Sequence, residues 1–115
     1  MKARLQTICE TLPGAVLDHP WDDQHDAWKI GDKMFAVIGA KLQGVSVKCS
    51  DVETAQMLID AGVARKAPYF HQSWVQLPPE TEDEELRHRV LVSYDVIRSA
   101  LPKKTQSQWP QREEI

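Results

Sequence analysis

Residues 27–49 constrain the fold more than any other part of the chain. Ala27–Ile30 is a largely apolar run, Gly31-Asp32-Lys33 is a short turn, and Met34–Ala40 is a second apolar run. Two such runs around a glycine-containing turn read as a β-hairpin. Lys41-Leu42-Gln43-Gly44 turns the chain again into Val45–Cys49, which predicts a three-stranded antiparallel meander. Successive side chains on a strand point to opposite faces. On that rule Met34, Ala36 and Ile38 share one face and Phe35 and Val37 the other, while Val45, Val47 and Cys49 lie opposite Ser46 and Lys48. One face is then apolar enough to carry helices, and the other is mixed and partly wet.

The flanking sequence supplies the helices. Leu5, Ile8, Cys9 and Leu12 make an apolar stripe over residues 3–12, stopped by Pro13-Gly14. Ala15–Leu17 can start a strand. Ser50 with Glu53 has the spacing of a capping box and opens a helix of about 11 residues that Gly62 ends. Thr81 with Glu84 repeats the pattern before a longer helix carrying Leu86, Val90, Tyr94, Ile97 and Leu101, ended by Pro102. Ser73–Leu77 reads as a strand, whereas Val63–Phe70, broken by Pro68, gives no clear assignment. The order α-β-β-β-β-α-β-α interrupts the strands with a helix only once. An α+β fold is expected, with an antiparallel sheet of about five strands and helices mainly on one face. Residues 1–104 form its single domain, and the polar segment 105–115 is expected to be mobile or loosely docked.

Composition removes several classes. At 115 residues, 42% hydrophobic and 27% charged, the chain suits one folded domain. No apolar run approaches the roughly 20 residues of a membrane span, and the start lacks a signal peptide's apolar stretch, so a cytoplasmic protein is expected. Cys9 and Cys49 are expected to be buried, reduced thiols, since nothing else in the chain suggests a disulfide framework.

Chemistry is sparse. Asp18-His19-Pro20-Trp21-Asp22-Asp23-Gln24-His25-Asp26 is the densest group of potential metal ligands, yet it matches neither a calcium loop nor a zinc site and reads as a solvated polar loop. His71, near Tyr69, Phe70 and Trp74, has no nucleophile or acid that sequence can place beside it and reads as a structural histidine; His88 reads as a surface residue. Phosphate loops and the common hydrolase and metalloprotease motifs are missing. No catalytic residue, metal or small-molecule cofactor is expected. The net charge of −3 gives no overall sign of nucleic-acid binding. Locally, residues 29–50 hold Lys29, Lys33, Lys41 and Lys48 against Asp32 alone, a balance of +3, with Arg65-Lys66 and Lys103-Lys104 as further basic pairs. Lysines on hairpins can reach phosphates, and Phe35, Tyr69 and Trp74 can stack or pack; a solvated lysine face accounts for the same pattern without a ligand.

Several segments, in order, resemble one family. Pro13-Gly14, Pro20-Trp21, Trp28-Lys29-Ile30-Gly31-Asp32-Lys33-Met34-Phe35-Ala36, Val45–Cys49, Ala67-Pro68-Tyr69-Phe70-His71, Trp74, and Ser93–Ile97 followed by Leu101–Lys104 are similar to the MmcQ/YjbR family over about residues 5–104. The resemblance implies an α+β domain akin to secretion chaperone-like and CyaY-like folds. It also implies binding of double-stranded DNA through two basic wings, with no enzymatic activity attached. Matched by position, the implied contacts are Lys33, Lys48, Arg65, Lys66 and His71; Trp21, Trp28, Tyr69, Trp74 and Tyr94 match structural aromatics. A lysine common in relatives near His71 is absent here. The alternative is a protein-interaction or chaperone-like domain that meets a protein partner through the mixed sheet face carrying Phe35 and Val37.

Overall fold

The computed structural model describes residues 1–39 and 43–112, so Lys41 and Leu42 of the expected second turn lie outside the described residues. In chain order the elements are α1 (Lys2–Cys9), β1 (Val16–Asp18), β2 (Asp26–Ile30), β3 (Lys33–Ile38), β4 (Val45–Lys48), α2 (Val52–Asp60), β5 (Arg65–Lys66), β6 (Trp74–Leu77), α3 (Asp83–Ser99) and α4 (Lys103–Gln106). The strands form one sheet in the order β1-β2-β3-β4-β6-β5, and every pairing is antiparallel. The architecture is the expected α+β one, with two differences in detail. The segment without a clear assignment contributes β5, a sixth, two-residue strand at one sheet edge, and Lys103–Gln106 adds a short fourth helix. Among the described residues, no helix is long and apolar enough to cross a membrane.

The β2–β3 hairpin forms for a local reason. Gly31 (φ +54°) and Asp32 (φ +66°) both take positive φ, and Ile30 pairs with Lys33 across them. This two-residue turn of the primed type matches the twist of the strands it joins. Glycine tolerates that backbone freely, and aspartate is among the few other residues that do.

Strict alternation then fails at one residue. Trp28 pairs with Ala36 but Lys29 pairs with Met34, so Phe35 is an extra residue on β3, a β-bulge. The expected facing of Met34 and Phe35 is therefore corrected. Phe35 is fully buried with Ala36 and Ile38, and its ring meets Tyr94 of α3 edge to face, 5.4 Å between centroids. Met34 and Val37 fall on the opposite face. Phe35 is thus unavailable to a protein partner on the mixed face. A bulge also leaves ladder groups without strand partners. Here the buried Ser93 hydroxyl repairs the break: it donates to Phe35 O (2.6 Å) and accepts from Lys48 N (2.9 Å).

Each side of the sheet has its own role. One core gathers Leu5 and Cys9 of α1, Ala55 and Leu58 of α2, and Leu86, Val90 and Tyr94 of α3 against Ile30, Phe35, Ile38, Val45, Val47, Val75 and Leu77. All three long helices therefore cover one face and leave the other open. Burial pushes the thiol pKa values of Cys9 and Cys49 up, and both thiols are free and buried.

The helix starts differ from the sequence patterns. Asp51, not Ser50, caps α2, its carboxylate accepting from Thr54 N at 2.6 Å. At α3 no side chain caps the end, and the Thr81 hydroxyl makes no bond. Arg4 of α1 instead reaches the carbonyls of Thr81 and Pro79 and the Asp83 carboxylate (2.7 Å). Residues 105–112 are docked rather than loose. Trp109 packs on the core over Gly14 (φ +77°), where an added Cβ would lie 2.5 Å from its ring. Arg98 donates to the carbonyls of Gln106 and Trp109, and Arg112 pairs with Asp95 at 2.8 Å.

Ser93→Ala removes the bridge and leaves a buried carbonyl and a buried amide unmatched. At about 1–3 kcal/mol per such group, with partial relaxation, we expect a loss of about 2–4 kcal/mol in urea denaturation. A loss under about 0.5 kcal/mol would show that the bulge does not depend on Ser93.

Candidate nucleic-acid interface

The open face is built by register. Ala27, Val37, Ser46, Gln76 and Arg65 follow one another across β2, β3, β4, β6 and β5, so their side chains form one row facing away from the helices. Lys48 and Trp74 form the adjacent row. Loop residues rise on either side of these rows and enclose a cleft of about 860 Å³. Met34, Val37 and Pro68 give it an apolar floor, and Ser46, Gln43 and Gln76 add uncharged polar groups. Trp21 stands on one rim and Tyr69 on the other, both well exposed.

The rim on the Trp21 side is held by aspartates. Asp22 accepts from Gln24 N (2.8 Å), from His25 N (3.1 Å) and from His25 Nδ1 (2.8 Å). Trp21 meets His25 edge to face with centroids 5.6 Å apart. Asp18 accepts from Lys29 Nζ at 2.7 Å and from His19 N at 2.8 Å. The hydrogen bond from His25, then those from the backbone, lower the Asp22 pKa; that from Lys29 leads in lowering Asp18. These carboxylates are spent on closing the loop. Among the described residues, no group of three His, Cys, Asp or Glu side chains converges as a metal site.

The Tyr69 rim is strained. Tyr69 has φ +70°, uncommon for a bulky residue, and its side chain is fully exposed. Phe70 beside it stacks on Trp74 with centroids 4.5 Å apart. Behind this pair Lys48 Nζ donates to Ser73 Oγ (2.6 Å), and Ser73 Oγ lies 2.9 Å from His71 Nδ1. The Ser73 amide also donates to His71 Nδ1 (3.1 Å), so Nδ1 is the unprotonated nitrogen and Nε2 carries the proton.

The five implied contact residues do not form one patch. Lys48 and His71 are joined through Ser73, and Arg65 reaches Gln43 O (2.5 Å) at the cleft wall; these three lie on the open-face side. Lys33 pairs with buried Ile30 and Lys66 with buried Val75, which puts both on the helix-bearing side, at a hairpin tip and at an edge strand. Lys29 of the basic meander is neutralised by Asp18. Sequence reasoning missed Gln43, Ser46 and Gln76 as a polar lining; the alternation on β4 already put Ser46 with Lys48, but the β4–β6 register that adds Gln76 leaves no local trace.

Asp22 gives the loop a definite pH dependence. Its folded pKa lies below the ordinary value of about 3.9, so its contribution is present above that value and is lost as pH falls through the folded pKa. The Trp21 indole N–H resonance is expected to show a step as pH falls below about 4, where Asp22 takes up its proton. Asp22→Asn should abolish that step, and an unchanged step would mean that another group closes the loop.

The comparisons agree with this architecture. A crystal structure of the Deinococcus radiodurans protein DR2400, a DUF419 domain, superposes with a TM-score of 0.83 at 21% identity, covering 96% of this chain and 89% of that one. At that identity the likeness establishes the fold. No curated protein matches the chain. The YjbR family model matches residues 10–96, three quarters of the sequence, and the chain belongs to the YjbR family.

Proposed function

We propose that this YjbR-family protein binds DNA through phosphate contacts on the open-face side of its sheet. The observation that carries the proposal is the state of its cations. Among the described residues, Lys2, Arg4, Lys29, Arg89 and Arg112 are paired with carboxylates, whereas Lys48 and Arg65 on the open-face side have no carboxylate partner; Lys33 and Lys66 on the other side and Arg87, Arg98, Lys103 and Lys104 of the helices have none either. Lys48 spends one of three ammonium donors on Ser73, and Arg65 spends part of its guanidinium on Gln43 O. Both cations lie on the open-face side and keep donors in reserve, and spare cationic donors are what phosphate oxygens bind. The overall charge of −3 makes the interaction weak and salt-sensitive.

Binding of a labelled duplex, followed by fluorescence anisotropy across salt concentrations, tests the proposal. Each lost phosphate contact lowers the slope of log affinity against log salt by about 0.9. Lys48→Gln combined with Arg65→Gln should therefore flatten the slope by nearly two. Unaltered affinity and slope in the double variant would refute a role for this surface.

A protein-interaction role is the second reading, favoured by Val16 and Leu17, both apolar and exposed on the edge strand β1. An edge strand can add a strand from another chain. Sedimentation equilibrium of wild type and Leu17→Lys is the check for pairing with a second copy: a dimer lost in the variant supports it, and a monomer at every concentration counts against it.

A further inference from the structure

We propose that the open-face cleft is a seat for an unpaired nucleobase, so that the preferred nucleic acid is a single strand. The inference rests on the DNA-binding reading for its phosphate contacts and adds to it what the cleft itself recognises. A base is a flat apolar ring with an uncharged hydrogen-bonding edge. The cleft offers the matching groups. Trp21 and Tyr69 stand on its rims with exposed rings, Met34 and Val37 form an apolar floor, and the Gln43 and Gln76 amides can donate and accept in the plane of a ring. Among the described residues, no Lys, Arg, Asp or Glu lines it. Charge lies just outside it. Arg65 crosses the wall to Gln43 O, and Lys48 lies behind the Phe70–Trp74 stack. A base inside the cleft thus leaves its own phosphates beside those two cations, which is the charge complementarity that a strand needs and an apolar peptide does not.

Tyr69 supplies the second line of argument. Its backbone is held at φ +70° and the residue is fully exposed, so the fold of the free protein gains nothing from either feature. Strained residues of this kind gather at ligand clamps. Stacking on exposed aromatic rings is how single strands are held without regard to sequence. In a duplex the bases are already stacked and paired, and none can enter a cleft without being turned out of the helix.

The test compares labelled single-stranded DNA, single-stranded RNA of the same sequence and the matched DNA duplex by anisotropy at low salt. A single strand should bind about tenfold more tightly than the duplex. Trp21→Ala and Tyr69→Gly should each weaken single-strand binding by about five- to hundredfold and leave duplex binding unchanged. Tyr69→Gly should melt at or above the wild-type temperature, since glycine accepts the backbone that tyrosine strains; weakened binding then cannot come from unfolding. Preference for either the DNA or the RNA strand supports the seat and names its source. Equal affinity for strand and duplex, or wild-type single-strand binding in both variants, overturns it while the phosphate-contacting function stands. Failure of every nucleic acid to bind overturns both.

Discussion

The Ser93 hydroxyl is a small group on which both faces of the sheet depend. The extra residue at Phe35 shifts the β2–β3 register, and beside it the Phe35 carbonyl and the Lys48 amide lie beyond the last β3–β4 pair, Ala36 with Val47, as polar backbone against an apolar core. By accepting from one strand and donating to the other, Ser93 makes the break tolerable and also fixes α3 against the sheet. The break in turn sends the Phe35 ring into the core against Tyr94 and leaves Met34 and Val37 to floor the cleft. Without the bulge, regular alternation would return the aromatic ring to the open face and fill the cleft with the protein's own side chain.

Much of the architecture was legible because it is local. The Gly31-Asp32 turn, the alternation on β4 and the apolar stripe of α3 are each set within a few residues. What could not be read was set by partners distant in sequence. The bulge at Phe35 answers to a serine 58 residues away, and the start of α3 is held by Arg4, 79 residues before Asp83. The Thr81 and Glu84 pattern satisfied the rule for a cap, but a guanidinium that binds three acceptors at once displaced it. β5 is two residues long, too short for any periodicity to register.

The candidate site was legible in part for the same reason. Family likeness pointed to cations and to His71, and a tally of charge pointed to the meander. Neither could show that Lys29 is already neutralised, or that Lys33 and Lys48 lie on opposite sides of one sheet. Strand register decides which charges act together, and register is a property of pairs. The polar lining from Gln43, Ser46 and Gln76 was invisible for that reason: its members come from two segments, the entry to β4 and β6, that only pairing makes neighbours.

The packing of Trp109 on Gly14 has a consequence in time. The Pro13-Gly14 turn is made well before the groups that cover it: its lid comes about 95 residues later and the Tyr94 hydroxyl that binds Pro13 O about 81 residues later. At synthesis rates of about 5–20 residues per second, the turn waits about 5–20 seconds for its covering ring. The meander and α2 can assemble during that interval from near neighbours, whereas the junction of α1 with β1 cannot. The beginning of this chain is therefore among the last of its parts to become native, and a nascent chain stalled before residue 109 presents the apolar side of α1 and the bare Gly14 turn to whatever surrounds the ribosome.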